Sequence, residues 1–157
     1  MVNVLFVCLG NICRSPTAHG VFEQMVAETD LQHLIHIDSC GTGSWHVGQP
    51  PDERTQQAAQ KRGYSLQHLR ARRLAAEDFH HFDYILAMDT RNLADVIKKA
   101  PVSFSGHIGL FLDFASDQTA TEVPDPYYGG DEGFDRVFNL IENACQGLLD
   151  ELRQKYG

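Results

Sequence analysis

Apolar positions along the chain predict two kinds of segment. Residues 2–8 form a run of Val, Leu and Phe interrupted only by Asn3, which predicts a buried β-strand. Three further strands are predicted at residues 35–40, 83–88 and 107–112. Helical patterns are found at residues 15–28, 52–62, 75–79, 90–99 and 133–155. Strands that alternate with helices predict a parallel sheet, so we expect one α/β domain with four parallel strands over residues 1–157.

Several helix ends carry local signals. Ser15 is a candidate N-cap, and Pro16 suits the first helical position after it. The helix predicted at residues 52–62 opens with acidic residues, closes with basic ones and stops at Gly63. Glycines and prolines predict a loop at residues 41–51, and residues 113–132 are also predicted to be mostly loop.

The turn at residues 8–15, called here the 8–15 loop, follows the first strand, where open parallel sheets bind ligands. Gly10 and Asn11 both tolerate left-handed backbone, so the loop can curl with its N–H groups directed inward. These donors and the next helix N-terminus favour an anion, and Arg14 adds a planar fork that fits two oxygens of an oxyanion. Cys8 is expected at the floor of this nest, where positive groups favour the nucleophilic thiolate and Ser15 can donate to the sulfur. The pattern C-x5-R-S therefore predicts phosphoryl transfer to cysteine.

The two cysteines of this loop, Cys8 and Cys13, allow other interpretations. A zinc site needs two further ligands at suitable spacing, and neither Cys40 nor the adjacent pair His80 and His81 supplies them. The nucleotide-binding pattern G-x4-G-K-[ST] is absent. Cys13 is either a small buried hydrophobe beneath the loop or a redox partner of Cys8. A curled loop can bring their Cα atoms within the ~4.4–6.8 Å that a disulfide needs.

Composition and charge restrict the class of protein. The 157 residues are 43% hydrophobic, with no apolar run near the roughly 20 residues that span a bilayer. The N-terminal residues lack a basic leader and a cleavage site, and four cysteines are too few for a disulfide scaffold, so we expect a cytoplasmic protein. The net charge of −8 argues against nucleic acid and anionic membranes as partners. The basic run at residues 70–73 is predicted to be a solvated face.

The sequence VCLGNICRSPTA at residues 7–18 resembles the signature of the low-molecular-weight protein tyrosine phosphatases. The resemblance continues through Asp38, Ser39, Trp45, His68, residues 83–89 and VPDPYYGG at residues 123–130, and so covers essentially the whole chain. It implies a small flavodoxin-like domain with helices on both faces of the sheet. It also implies hydrolysis through a cysteinyl-phosphate intermediate, with no metal or other cofactor.

The resemblance implies a role for each matching catalytic residue. Cys8 is similar to the nucleophile, Arg14 to the residue that binds phosphate and stabilises the transition state, and Asp125 to the general acid. An acid is also expected on chemical grounds, since a phenolate leaving group benefits from a proton below pH ~10. The same carboxylate can then activate water. The prolines on either side of Asp125 restrict its backbone.

Other matching positions form the surroundings of these residues. The phosphate-binding loop of the family corresponds here to Leu9, Gly10, Asn11, Ile12, Cys13 and Ser15. Positions that brace this loop in the family correspond to Asn11, Ser15, Ser39 and His68. Aromatic walls of the family's cleft correspond to Trp45, Tyr127 and Tyr128. A deep apolar slot suits phosphotyrosine, because its phosphate must reach the floor of the site.

The roles of three further residues are considered separately. Asp89 either orients Arg14 or caps the helix that begins at residue 90. Cys13 is favoured as a redox partner by the resemblance, since family members with both cysteines undergo reversible inactivation. His19 departs from the acid that many relatives carry after S-P-x-A, and we expect it on the helix face, where it adjusts stability or the surface.

Other functions remain as alternatives to tyrosine dephosphorylation. A phosphoarginine phosphatase is the nearest, although the aromatic slot and Ile12 favour an aryl ester. An arsenate reductase on this fold needs further cysteines in a mobile pair, and Cys40 and Cys145 do not form one. A silent phosphate-binding module would not need Asp125. We expect phosphotyrosine proteins as substrates, phosphate and vanadate as inhibitors, and a monomer or weak dimer.

Overall fold

A four-stranded parallel sheet forms the centre of the computed structural model, which describes residues 1–126 and 131–157. Its strands are β1 (Val2–Cys8), β2 (Ile35–Gly41), β3 (Tyr84–Ala87) and β4 (His107–Leu110), in the order β2-β1-β3-β4. The helices are α1 (Arg14–Ala27), α2 (Glu53–Lys61), α3 (Asp78–His81), α4 (Thr90–Lys99) and α5 (Asp131–Tyr156). A 3₁₀ helix at Phe111–Phe114 follows β4. The predicted four-stranded parallel α/β fold is confirmed.

The central strand β1 is covered on both faces. It pairs in parallel with β2 and with β3, so its backbone has a neighbour on each side. Val4 and Phe6 belong to the core cluster that includes residues of α1 and α5. Leu5 and Val7 belong to the opposite cluster, with residues of α3 and α4. Alternating side chains of one strand therefore serve both layers, and the expected placement of helices on both faces is confirmed.

Phe6 occupies the middle of the larger layer. Its ring packs edge-on against Phe22 of α1, with ring centroids 5.9 Å apart, and against Phe111, at 5.0 Å. All three rings are completely buried. Burying a phenylalanine side chain contributes roughly 1.5–3 kcal/mol, so this trio fixes α1 and the 3₁₀ helix onto the strand that leads to the 8–15 loop.

Helix starts agree only partly with the local signals. Asp52 is the N-cap of α2, since its side chain accepts from the N–H groups of Arg54 and Thr55, and Gly63 follows the helix with a φ of 88°. Ser15, in contrast, is not an N-cap. Helix α1 begins at Arg14 after Cys13, which makes no side-chain capping bond. The serine side chain points back into the 8–15 loop instead, so the capping prediction is wrong.

Two short elements differ in their bounds from the sequence prediction. Strand β4 ends at Leu110, because the chain turns into the 3₁₀ helix where a strand was expected to continue. The helix expected at residues 75–79 begins at Asp78 instead. Asp78 accepts a hydrogen bond from the N–H of Ala75 at 2.8 Å, which closes a turn ahead of the helix.

Gly41, the last residue of β2, allows the sheet to approach the 8–15 loop closely. A Cβ atom at this position would lie 2.6 Å from the carbonyl oxygen of Leu9 and 3.1 Å from the carbonyl carbon of Gly10. Backbone atoms cannot yield at such distances, so only glycine fits. The end of β2 therefore supports the loop from below.

No helix in the described part of the chain combines the length and apolar character needed to cross a membrane.

Candidate active site

The 8–15 loop curls because Asn11 adopts left-handed backbone, with a φ of 57°. Gly10, which the sequence suggested for the same conformation, does not have a positive φ; a Cβ there would lie 3.1 Å from the ring of His46. The curl directs the N–H of Asn11 toward the sulfur of Cys8, at 3.2 Å. The Asn11 side chain holds the conformation from both ends, since Oδ1 accepts from the N–H of Arg72 at 3.0 Å and Nδ2 donates to Ser15 Oγ at 2.7 Å.

Main-chain bonds brace the outside of the same loop. Carbonyl oxygens of Cys8 and Leu9 accept from the N–H groups of Thr42 and Gly43, each at 2.9 Å. The carbonyl of Ile12 accepts from the N–H of Asp52 at 2.8 Å. The segment between β2 and α2 thus occupies the loop carbonyls. Carbonyl groups that are bonded outward leave the inner side of the curl to donors, which suits an anion.

The sulfur of Cys8 lies at the bottom of the curl. The residue Cys8 is only 2% exposed. Ser15 Oγ lies 2.9 Å from this sulfur and 3.3 Å from the carbonyl oxygen of Cys40. Because Asn11 Nδ2 already donates to the serine oxygen, the serine proton is available to an acceptor. The sulfur is the nearer acceptor. A hydroxyl that donates to sulfur stabilises the thiolate, the nucleophilic form of cysteine.

Arg14 enters the cleft from the start of α1 and is buried. Its Nη1 donates to Asp89 Oδ2 at 2.6 Å and to the carbonyl oxygen of Val123 at 3.1 Å. Burial by itself lowers the pKa of this guanidinium, but Cys8, Asp89 and Asp125 together raise it above its usual value. The arginine is therefore a permanent cation beside the cysteine. Its bonds to Asp89 and to the carbonyl oxygen of Val123 fix the orientation of the guanidinium.

Asp89 has both roles that the sequence left open. Its Oδ2 accepts from Arg14, and its Oδ1 accepts from the N–H of Asn92 at 2.7 Å, which caps α4. One carboxylate thus connects the start of a helix to the cationic group of the cleft.

Asp125 also lines the cleft. Its Oδ2 lies 3.8 Å from Arg14 Nη2, and the side chain is 37% exposed. Val123, two residues earlier, is fully buried, and its N–H donates to the carbonyl oxygen of Met88 at 2.8 Å. The aspartate is therefore accessible to a ligand while the chain just before it is anchored in the core.

A cleft of about 390 Å³ joins these groups. Its lining residues are Cys8, Leu9, Gly10, Ile12, Cys13, Arg14, Trp45, His46 and Asp125. Trp45 lines the cleft and is 70% exposed. Sequence reasoning missed His46, since a histidine in a glycine-rich loop carries no signal of its own. Tyr127 and Tyr128, the other predicted aromatic walls, lie outside the described residues.

Comparison with known proteins agrees with this geometry. Residues 3–156 match the family model described as low molecular weight phosphotyrosine protein phosphatase. The chain belongs to this family. It is 41% identical over 155 residues to the low molecular weight protein-tyrosine-phosphatase of Bacillus subtilis strain 168, covering 99% of this chain and 98% of the relative.

Solved structures of related phosphatases share the fold. A protein tyrosine phosphatase from Entamoeba histolytica superimposes with a TM-score of 0.95 at 40% identity, covering 99% of each chain. A drosophila arginine phosphatase superimposes with a TM-score of 0.90 at 34% identity, covering 96% of this chain and 97% of that one. The chain is thus a low molecular weight protein-tyrosine-phosphatase by family, and the resemblance seen in the sequence is confirmed.

Cys13 of this phosphatase is only 5% exposed and packs with Ile12 and Ala71. Burial raises the pKa of its thiol to about 12. All four cysteines are free thiols: Cys8, Cys13, Cys40 and Cys145. Cys13 therefore has the packing of a small hydrophobe, while it also lies in the cleft beside the candidate nucleophile.

Two of the predicted loop supports have partners other than the loop. Ser39 Oγ bonds His19 Nδ1 at 2.9 Å, and His68 Nε2 lies 3.0 Å from Glu23 Oε1. The second nitrogen of His19 lies 3.3 Å from Glu23 Oε2, so two imidazoles flank one carboxylate. The side-chain bond from His19 is the largest cause of a lowered pKa for Glu23, and His68 adds to it.

These contacts correct the expectations for both histidines. His68 is exposed, and its bond to Glu23 lies outside the loop it was expected to brace. His19 was expected on the helix face, but the residue is only 6% exposed and bonds a serine of β2. His19 is buried and not exposed on the helix face because α1 packs directly on β2, which turns position 19 toward the sheet.

Arg72 is a further residue that the sequence interpretation missed. The basic run at residues 70–73 was predicted to be solvated, and Arg70 and Arg73 are exposed. Arg72 instead pairs with Asp38 at 3.0 Å and forms two bonds of 3.0 Å to Asp78. These pairs hold the backbone N–H of Arg72 against Asn11, so the run supports the loop.

No group of three or more His, Cys, Asp or Glu side chains in residues 1–126 and 131–157 is arranged to hold a metal ion.

Proposed function

We propose that this phosphatase hydrolyses phosphotyrosine in proteins, and small aryl phosphates, through a cysteinyl-phosphate intermediate and without a metal ion. The observation that carries the proposal is the meeting of Cys8, Arg14 and Asp125 in one cleft. A nucleophile, a fixed cation and a carboxylate are the three groups that such a reaction needs. Cys8 and Arg14 come from the 8–15 loop, and Asp125 comes from a distant part of the chain.

In the first step, Cys8 Sγ attacks the phosphorus atom. An S–P bond forms and the bond from phosphorus to the phenolic oxygen breaks. Asp125, in its protonated form, transfers its proton to the departing oxygen, so that tyrosine leaves as a neutral phenol. Arg14 Nη2 and the donors of the 8–15 loop stabilise the negative charge on the transferring phosphoryl group. Ser15 donates to the sulfur and favours the thiolate before attack.

In the second step, water hydrolyses the intermediate. Asp125, now a carboxylate, removes a proton from water as the water oxygen attacks phosphorus. The S–P bond breaks, inorganic phosphate leaves and Cys8 returns as the thiolate, which Ser15 again stabilises. Inorganic phosphate and vanadate should therefore inhibit by occupying the same nest, as tetrahedral or trigonal anions beside Arg14.

The cleft favours an aromatic ester as substrate. The cleft is lined by the apolar side chains of Leu9, Ile12 and Trp45, called here the apolar entrance, as well as by Cys8 and Arg14. A phenyl ring can pack against this entrance while its phosphate reaches the sulfur. Phosphoserine is too short to fill the entrance and is expected to be a poor substrate.

Phosphoarginine is the second candidate substrate, because a drosophila arginine phosphatase shares the fold over most of both chains. A guanidinium leaving group would be cationic, and Asp125 at the cleft wall offers it a carboxylate. The apolar entrance supports the aryl ester, so we keep phosphotyrosine as the main proposal.

Two other candidates have less support. An arsenate reductase would need mobile cysteines to pass on a disulfide, whereas Cys40 and Cys145 are completely buried in the two core clusters. A silent phosphate-binding module would have no use for Asp125, which is partly exposed beside Arg14. We also propose that Cys13 protects Cys8 as a redox partner. The four cysteines of this protein are free thiols, which supports the cytoplasm as the place where it works.

The test is turnover on matched phosphotyrosine, phosphoserine and phosphoarginine peptides with EDTA present. We expect the phosphotyrosine peptide to be hydrolysed fastest. Cys8→Ser should abolish turnover while it retains phosphate binding, and acid-quenched wild type should carry phosphate on Cys8 by mass spectrometry. Cys145→Ala, at a buried cysteine of α5 that does not line the cleft, is the control and should keep activity. Substantial turnover by Cys8→Ser would overturn the covalent mechanism.

A further inference from the structure

Two carboxylates meet at the N-terminus of α4. Asp89 accepts from the N–H of Asn92, as described above. Glu122, which precedes Val123 in the loop of the general acid, accepts from the N–H of Thr90 at 2.6 Å and from Thr90 Oγ1 at 2.9 Å. The free N–H groups of a helix start attract carboxylates, so both contacts are favourable.

The same short connection between β3 and α4 also holds the next residue of that loop. Met88 accepts from the N–H of Val123 at 2.8 Å, and the carbonyl oxygen of Val123 accepts from Arg14 at 3.1 Å. Residues 88–90 therefore contact Arg14 through Asp89 and contact the acid loop through Met88 and Thr90. One piece of backbone sets both sides of the cleft.

We propose that Glu122 is a positioning residue for Asp125. This inference rests on the proposed role of Asp125 as general acid. Glu122 is not among the residues that line the cleft, so its side chain acts on the acid through the chain that connects them. Its side chain fixes the chain three residues before the acid to the helix start beside Asp89 and Arg14.

A second anchor is needed because one backbone position does not orient the residues that follow. Val123 is fixed by its hydrogen bonds and complete burial, but Pro124 and Asp125 are exposed. Bonds at both Glu122 and Val123 determine the direction in which the chain leaves the core. Proton transfer requires the acid within hydrogen-bond reach of the leaving oxygen, and a displacement of about 1 Å can cost up to about 100-fold in rate.

The experiment compares Glu122→Ala and Glu122→Gln with Asp125→Ala and a control, Glu28→Ala, at an exposed acid after α1. Two substrates separate the steps: phenyl phosphate, whose leaving group needs a proton, and nitrophenyl phosphate, whose leaving group does not. We expect Glu122→Ala to slow the step that releases the phenol, followed by rapid quench, about 10-fold for phenyl phosphate and at most about 2-fold for nitrophenyl phosphate. Its affinity for inorganic phosphate should equal that of wild type. Glu122→Gln should recover most of the loss, because its amide oxygen can still accept from Thr90.

The outcomes distinguish this inference from the proposed function. Equal losses on both substrates in the step that releases the phenol, or a phosphate affinity weakened by the same factor as that step, would mean that Glu122 only stabilises α4, and would overturn the inference. If Asp125→Ala separates the two substrates and Glu122→Ala does not, the inference alone fails. If Asp125→Ala does not separate them, the acid role fails and the inference fails with it.

Discussion

Arg14 Nη1 and Asp89 Oδ2 lie 2.6 Å apart although the residues are separated by 75 positions in the chain. The pair joins the start of α1 to the start of α4 across the carboxyl end of the sheet. Because the guanidinium is buried and the carboxylate only 22% exposed, the bond is shielded from solvent. The cation of the cleft therefore depends on the strand order that places these two helix starts side by side.

Substitution of Asp89 separates its two roles. Asp89→Asn keeps an oxygen that can cap α4 but loses the charge that holds Arg14, whereas Asp89→Ala loses both. We expect both variants to bind phosphate at least about 10-fold more weakly, the scale of one charge-assisted hydrogen bond. Only Asp89→Ala should lose a further ~1 kcal/mol of unfolding free energy, the usual contribution of an N-cap. Phosphate titration and urea unfolding measure the two effects. Wild-type phosphate affinity in Asp89→Asn would show that Val123 alone orients the arginine.

Removal of the general acid should depend on the leaving group. Asp125→Ala is expected to slow the release of phenol from phenyl phosphate by about 100-fold or more, and the release of nitrophenol from nitrophenyl phosphate much less. The variant should also lose one limb of the pH profile. Rapid-quench kinetics with the two esters provide the measurement. A loss of the same size for both would indicate that Asp125 only holds its loop in place.

Oxidation of Cys8 by excess peroxide should stay reversible only when Cys13 is present, because a sulfenic acid that is not captured as a disulfide is oxidised further to irreversible acids. Peroxide converts the Cys8 thiolate to a sulfenic acid, and the Cys13 thiolate then displaces hydroxide to form the disulfide. Because burial raises the pKa of Cys13 to about 12 and only the thiolate attacks, this closure should accelerate steadily as the pH rises above neutral. Recovery after dithiothreitol is compared between wild type, Cys13→Ser and the control Cys145→Ser. Full recovery of Cys13→Ser would assign Cys13 to packing alone.

Glu23 should stabilise the fold only where it is ionised. Its pKa is lowered by His19 and His68, so the folded state binds the Glu23 proton less tightly than the unfolded chain. The contribution is present above about pH 4.5 and is lost as the pH falls through the lowered value. At pH 6 we expect Glu23→Gln to reduce the unfolding free energy by up to about 1 kcal/mol, since the carboxylate is partly exposed. Urea unfolding from pH 6 to pH 3 should show this difference shrinking, with Glu28→Gln as the unaffected control. A difference that does not change with pH would contradict the ionic origin.

Local sequence patterns predicted most of the secondary structure and the reactive groups. The apolar run at residues 2–8 forms β1 with the expected bounds, and the helix predicted at residues 90–99 forms α4. Both succeed because hydrophobic periodicity depends on neighbours along the chain. The 8–15 loop was also accessible from sequence, since Cys8 and Arg14 are separated by a single turn whose form Asn11 determines.

The sequence by itself therefore determined the strands, the helices and which cysteine and arginine share a turn, all of which follow from interactions within a few residues. Tertiary structure decided which distant residues support that turn. His19, Arg72 and Glu122 carry no local signal, because each acquires its partner only when the parallel sheet brings separate segments together. The same holds for Ser15, for which the sequence allowed both a helix cap and a bond to the Cys8 sulfur, and whose hydroxyl lies against Cys8. Whether the Ser15 hydroxyl bonds the backbone at the start of α1 or the sulfur of Cys8 depends on where β1 ends relative to α1. Only the folded arrangement determines that position.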